Sequence, residues 1–296
     1  MTAPSRATIA GQAYLDLRKK ARQDRRPVDE LIQLYVLEGF LARLAQTPFA
    51  ERFVLKGGML LAALGERRPT RDIDLQTSTT GGDTGTVLAA VRQIAGTPLP
   101  DGVVFDLETA AAREIRDEDI YPGVRVTMTA RLATARAHIH VDVSAGDPVI
   151  PPAQQVRIPR LLGGEITARG YPLAMVYSEK IVTAITRGTV NTRWRDFADM
   201  YLLARRHPVD GTQLRHSVHE VARHRRVELR PLAEVLPGYG DIGQQRWTAW
   251  RAKQQLGDRL PEQFHDVVTS AVDFADPAIT GAAAGHSWDP AAGAWL

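Results

Sequence analysis

The chain contains no cysteine. That absence excludes a disulfide framework, a disulfide-linked partner, a thiolate metal site and a cysteine nucleophile together, and it fits a reducing cytoplasm. Long hydrophobic runs are missing too: no apolar stretch approaches the ~18 residues of a membrane span. Met1-Thr2-Ala3-Pro4-Ser5-Arg6 leads into a charged amphipathic segment, not into the apolar centre of a signal peptide. The expectation is a cytoplasmic protein with no membrane association. No internal repeat is found.

What is present suits a globular protein. Of 296 residues, 44% are hydrophobic and 24% charged, and the length allows one large core or two modest ones. A formal charge of +3 permits a nucleic-acid partner without requiring one, so the distribution of charge matters more than its total.

The most informative stretch runs from Phe53-Val54-Leu55-Lys56-Gly57-Gly58-Met59-Leu60-Leu61 to Arg71-Asp72-Ile73-Asp74-Leu75. Its first part reads as a buried strand, a glycine turn and a helix start; its second reads as another strand. In an extended chain, side chains two residues apart share a face, so Asp72 and Asp74 project together while Ile73 and Leu75 face the core. Adjacent carboxylates repel unless a cation lies between them, and hard Mg²⁺ takes carboxylate and phosphate oxygens. Gly57 and Gly58 leave backbone N–H groups open at a helix start, where a phosphate can be held. A lone D-x-D is more often a pair of solvated acids and a lone Gly-Gly just a turn. In this order and spacing they resemble the pattern of the nucleotidyltransferase superfamily.

Around this stretch, apolar spacing predicts helices over 7–26 and 28–45, then one over 84–95 after a polar loop at 77–83. Strands follow over 103–107, 124–130 and 137–143. The last alternates, placing His138, His140 and Asp142 on one face, with Asp142 suited as a third metal carboxylate beside Asp72 and Asp74. The histidines read as ordinary polar residues. Asp147 to Pro152 is a proline-rich connector, and short extended segments are expected at 158–162 and 165–168. Helices are expected from Leu173 to Gly188 and from Arg193. Lys180 on the first could reach a triphosphate as a point charge, although a surface lysine is the commoner case. Asp196 and Asp199 on the second share a face near its N-terminus, where acids are favourable in their own right. Residues 205–230 are the most basic section and suit phosphate contacts, against the usual reading of a solvated face. Helices are expected over 243–256 and 261–274. The Ala- and Gly-rich tail from Asp276 is expected to be poorly ordered.

The sequence resembles the AbiEii/MenT group of nucleotidyltransferase-like toxins, the toxic halves of type IV toxin–antitoxin pairs. The resemblance rests on Leu55-Lys56-Gly57-Gly58-Met59-Leu60, Arg71-Asp72-Ile73-Asp74-Leu75, Val141-Asp142-Val143, Glu179-Lys180, and Arg195-Asp196 with Asp199-Met200-Tyr201. It implies an α+β, bilobal fold: a mixed-sheet nucleotidyltransferase domain with N-terminal helices over 1–150, a mainly helical domain over 151–275 completing the active-site cleft, and a flexible tail over 276–296. The implied activity is Mg²⁺-dependent transfer of a nucleoside monophosphate from an NTP, with Mn²⁺ as a substitute ion. The acceptor would be RNA, foremost the 3′ end of tRNA, and a cognate antitoxin would neutralise the toxin. Asp72, Asp74, Lys180 and Asp196 would be catalytic, with metal on Asp72 and Asp74; Asp142 joins them as a third ligand by its alternation and position alone. Lys56, Gly57, Gly58, Arg71 and Lys180 would bind the nucleotide. Many members carry Thr or Ser after the glycine pair where this chain has Met59. An AMP-transferring protein modifier or an antibiotic adenylyltransferase shares the same D-x-D chemistry and stays open as the alternative.

Overall fold

The computed structural model describes residues 3–77, 83–115, 123–145 and 147–296. The polar loop expected at 77–83 falls mostly on residues 78–82, outside the described residues. The chain divides into two compact units: Met1–Gly146 with Gln154–Gly170, and Asp147–Ala153 with Tyr171–Leu296.

The first unit opens with α1 (Ile9–Gln23) and α2 (Val28–Leu44). Thr8 caps α1, its hydroxyl accepting from Gly11 N–H at 3.1 Å, and Ala13, Leu17 and Ala21 form the buried stripe that the spacing predicts. Pro27 precedes α2, at a helix entrance where its missing N–H costs little. Then come β1 (Phe53–Lys56), the single turn α3 (Gly57–Leu60), β2 (Asp72–Thr77), α4 (Thr84–Ala95), β3 (Val103–Ile115), β4 (Gly123–Leu132), β5 (Ala135–Ala145), β6 (Gln154–Pro159) and β7 (Glu165–Gly170). The seven strands form one sheet in the order β3-β4-β5-β2-β1-β7-β6. The β2–β5 and β1–β7 pairs are parallel and the rest antiparallel, giving the mixed sheet of the expected α+β class.

A domain boundary at 150 splits this sheet wrongly. The β6–β7 hairpin belongs to the first unit because β7 runs parallel to β1, with Leu55 opposite Gly170. Side chains fasten it from below: the buried Glu38 carboxylate of α2 accepts from Leu161 N–H at 3.0–3.1 Å and from Arg67 at 2.6 Å. Burial pushes the Glu38 carboxyl up, with Arg67 and the Leu161 N–H opposing that shift. A second buried pair, Arg43 with Asp101 at 2.6 and 3.1 Å, ties α2 to the start of β3.

The second unit is mainly helical: α5 (Leu173–Arg187), α6 (Trp194–Ala204), β8 (Val209–Asp210), α7 (Gly211–Arg225), α8 (Leu232–Val235), α9 (Tyr239–Lys253), α10 (Phe264–Thr280), β9 (Ser287–Asp289) and β10 (Ala294–Trp295). Phe197, Tyr239, Trp247 and Phe264 are fully buried at its centre and pack ring against ring. The expected flexible tail is instead part of this core. α10 continues to Thr280, Trp288 is buried and donates to Ala204 O at 2.7 Å, and Trp295 stacks on Phe274. Two tryptophans bury enough apolar area to outweigh the Ala/Gly composition around them.

Arg225 also departs from its reading as an exposed cation. It forms a two-point pair with Asp147 at 2.9 and 2.5 Å and reaches Thr183 at 3.2 Å. Among the described residues no helix is long and apolar enough to cross a membrane.

Candidate active site

Strand register assembles the first group of functional side chains. Along the parallel β2–β5 pair, Asp72 faces His140 and Asp74 faces Asp142. Along the antiparallel pairs, Lys56 faces Asp74 and Arg125 faces Asp142. Because alternate residues share a face, these six side chains lie on one side of the sheet. Ile73, Leu75, Val126, Ile139 and Val141 lie on the other, all fully buried. The result is a row in which two central acids, Asp74 and Asp142, are flanked by Lys56 and Arg125.

Each acid is held differently. Asp142 accepts from Arg125 Nε and Nη2 at 2.7 and 2.6 Å, a bidentate pair that occupies both its oxygens. Asp72 accepts from His140 Nδ1 at 3.0 Å. Asp74 has its carboxyl pushed up to about 6, first by burial and further by Asp142 and Asp72; Lys56 and Arg68 pull the other way. Burial and the neighbouring acids thus disfavour the ionised form of Asp74.

Gly57 explains where Asp74 sits. Its φ is +63°, and a Cβ there would come within 1.9 Å of Asp74 Oδ2, so only glycine lets this carboxylate lie against the backbone. A Cβ on Gly58 would meet Thr70 at 2.9 Å. The glycine pair therefore makes room for an acid and for the loop before it. The expected phosphate seat at a helix N-terminus is reduced by α3 being one turn of four residues, too short for an appreciable dipole. Met59, which follows the glycine pair, is buried in the core. Arg71 is exposed at the start of β2.

The second group lies in the helical unit. Lys180 Nζ of α5 donates to Asp196 Oδ1 at 2.7 Å and to Asp199 Oδ2 at 2.8 Å, both on α6. The lysine is only 13% exposed and Asp199 only 4%. Lys180 is therefore no surface lysine, and the two acids do more than complement a helix terminus: they hold a buried cation.

The three acids expected to hold metal, Asp72, Asp74 and Asp142, lie on one face of the sheet. Among the described residues no group of three or more His, Asp or Glu side chains could hold a metal, and Asp142 is committed to Arg125. What remains is two hard oxygen donors, Asp72 and Asp74. That fits Mg²⁺, which is commonly bound by one or two carboxylates plus substrate phosphates and seldom by an all-protein cage.

Sequence reasoning misses the roles of Arg125, His140 and Asp199. Alternation puts His140 on the correct face, but its pairing with Asp72 depends on a register between strands more than sixty residues apart. Arg125 has a signal: a charged residue between Val124 and Val126 on an alternating strand. In the basic section, Arg223 pairs with Glu220 and Arg205 lies over Tyr201, while Arg215, His216, His219 and Arg226 are exposed.

No curated protein sequence matches the chain. Two solved structures are similar to it at 14% identity, each over 85% of this chain. One, from H. pylori and described as a candidate nucleotidyltransferase, is covered over 95% of its length with a TM-score of 0.48. The other, JHP933 from Helicobacter pylori, is covered over 92% with a TM-score of 0.47. The family model of the nucleotidyl transferase AbiEii toxin, type IV toxin–antitoxin system, matches residues 39–272. That span takes in both groups of side chains, and the chain belongs to the AbiEii nucleotidyltransferase toxin family.

Proposed function

We propose that this protein transfers a nucleoside monophosphate from an NTP to RNA, foremost to the 3′ end of tRNA, blocking translation until a cognate antitoxin neutralises it. The observation that carries the catalytic part is the pair Asp72 and Asp74 on one strand face. There Asp74, pushed up to about 6 by burial and by Asp142 and Asp72, gains from a cation beside it. Asp72 and Asp74 would hold Mg²⁺, with Mn²⁺ as a substitute. When bound, the ion neutralises charge on the attacking and leaving oxygens.

The acceptor hydroxyl oxygen bonds to the α-phosphorus, the α–β phosphoanhydride breaks and pyrophosphate leaves. Lys56, Gly57, Gly58 and Arg71 are assigned to the nucleotide. Lys180 is assigned to the triphosphate, and Asp196 is the essential acid, taking the hydroxyl proton. Arg125 holds Asp142, so Asp142 acts through charge and position and not as a third ligand. The exposed Arg215, His216, His219 and Arg226 favour an RNA acceptor.

The test incubates the protein with each labelled NTP, Mg²⁺, total tRNA and cell protein. Label on tRNA that vanishes with Asp72→Ala is the expected result. Label on protein, or on a small molecule, replaces the acceptor assignment with AMP-transfer chemistry. Full labelling by Asp72→Ala at saturating Mg²⁺ overturns the site.

A further inference from the structure

Asp72 lies at the start of β2 with a third of its side chain exposed. The one hydrogen bond described for its carboxylate comes from His140 Nδ1, at 3.0 Å. An ionised carboxylate can only accept, so Nδ1 carries the proton. The two residues are direct partners in the parallel β2–β5 register, and His140 is fixed on its other side by pairing with Thr127 of β4. The contact is thus built by the middle of the sheet.

The three acids of this face are oriented by three devices. Burial against Gly57 places Asp74, a guanidinium grips both oxygens of Asp142, and a single imidazole N–H places Asp72. The difference is chemical. Arginine brings a permanent charge and two donors, which neutralise a carboxylate and saturate it. One imidazole donor fixes Oδ1 and leaves Oδ2 and the remaining lone pairs for another partner.

We propose that His140 is a positioning residue for Asp72, holding its carboxylate in the orientation that receives the divalent cation. This rests on the metal role of Asp72 and Asp74 proposed above. Hydrogen bonds to ligating carboxylates of this kind change metal affinity by roughly 10–100-fold when removed.

The experiment measures Mn²⁺ binding to the full chain without nucleotide, by the electron paramagnetic resonance signal of free Mn²⁺, alongside thermal melting in EDTA. The variants are H140A, H140N, which keeps an N–H donor near Nδ1, and D72N. The expected result is Mn²⁺ binding by the natural protein, loss in D72N, affinity about 10-fold weaker in H140A and recovery in H140N, with melting in EDTA unchanged across the His140 variants. A purely structural role would move melting and would not be rescued by the amide. Should H140A fail to fold, H140N and H140F carry the comparison, one keeping the donor and the other losing it. Equal affinity with and without the donor overturns the inference alone. A natural protein that binds no Mn²⁺, or a D72N variant that binds it normally, overturns the metal role itself and this inference with it.

Discussion

Asp72 and Asp74 stand two residues apart on a strand; Asp196 and Asp199 stand three apart on a helix. Both spacings put the acids on one face, yet the two units settle the charge in opposite ways. On α6 the acids share Lys180, and the cluster is compact, largely buried and hydrogen-bonded on both sides. On the sheet, Asp74 meets further acids at Asp72 and Asp142, and Lys56 and Arg68 only partly offset the burial and repulsion. The helix cluster can be stable as folded, whereas the sheet row holds a charge that a bound cation would relieve. Electrostatic tension of this kind marks the sheet row as the place where chemistry is expected.

The largest effect expected from breaking this contrast is on activity. Asp74→Asn keeps the shape and removes the charge, and nucleotide transfer should fall by a factor on the order of 10³. Single-turnover labelling at saturating Mg²⁺ checks it, and a variant within tenfold of the natural protein would sink the assignment. The next largest effect is on the other cluster and on stability. Lys180→Met takes a hydrogen-bonded cation away from Asp199, which is nearly inaccessible to water, and should cost about 3–5 kcal/mol, read as a lower urea midpoint. An unchanged midpoint would mean that the cluster is not holding α5 to α6.

Much of this is legible in the chain. The D-x-D alternation, the third acid on an alternating strand and the Lys180 helix all follow from periods of 2 and 3.6, and β2, β5 and α5 fall where those periods place them. What stays hidden depends on partners distant in sequence. Asp142 reads as a free ligand until the register shows Arg125 opposite it. Arg225 reads as part of an exposed basic patch until Asp147 is found at its guanidinium. The 154–170 hairpin reads as part of the second domain because a parallel pairing with β1 leaves no local trace. The tail reads as loose because composition counts its alanines and glycines, while its packing is decided by Trp288 and Trp295.

Gly57 offers a smaller test of the same contrast. Alanine there must adopt a left-handed φ and displace the Asp74 carboxylate, so Gly57→Ala should lower stability by about 1–3 kcal/mol and reduce transfer together with it. Gly163, in the β6–β7 turn, also has positive φ, but a Cβ added there would meet nothing within 4 Å. Gly163→Ala should therefore cost only the backbone strain, about 1 kcal/mol, and leave transfer intact. Equal losses of activity in both would separate Gly57 from Asp74.

The smallest effect has the most telling sign. Asp74 in the fold holds its proton up to about pH 6, against 3.8 ordinarily. Between those values the native state binds more protons than the unfolded chain, so stability falls as pH rises through that window. Above it, the ionised carboxylate is a standing cost of about 1–3 kcal/mol. Asp74→Asn removes the cost. In EDTA at pH 7.5 the variant should therefore melt higher than the natural protein, and near pH 4 the two should converge. Mg²⁺ should raise the melting temperature of the natural protein at pH 7.5 more than that of the variant, because a cation bound only to the folded state adds stability by mass action. Asn at a satisfied acid would do the opposite: Asp199→Asn should lower the melting temperature at pH 7.5, since it weakens the grip on buried Lys180. Two Asp→Asn changes with opposite signs would separate Asp74, kept for chemistry, from Asp199, kept for structure. Two losses of similar size would erase the distinction.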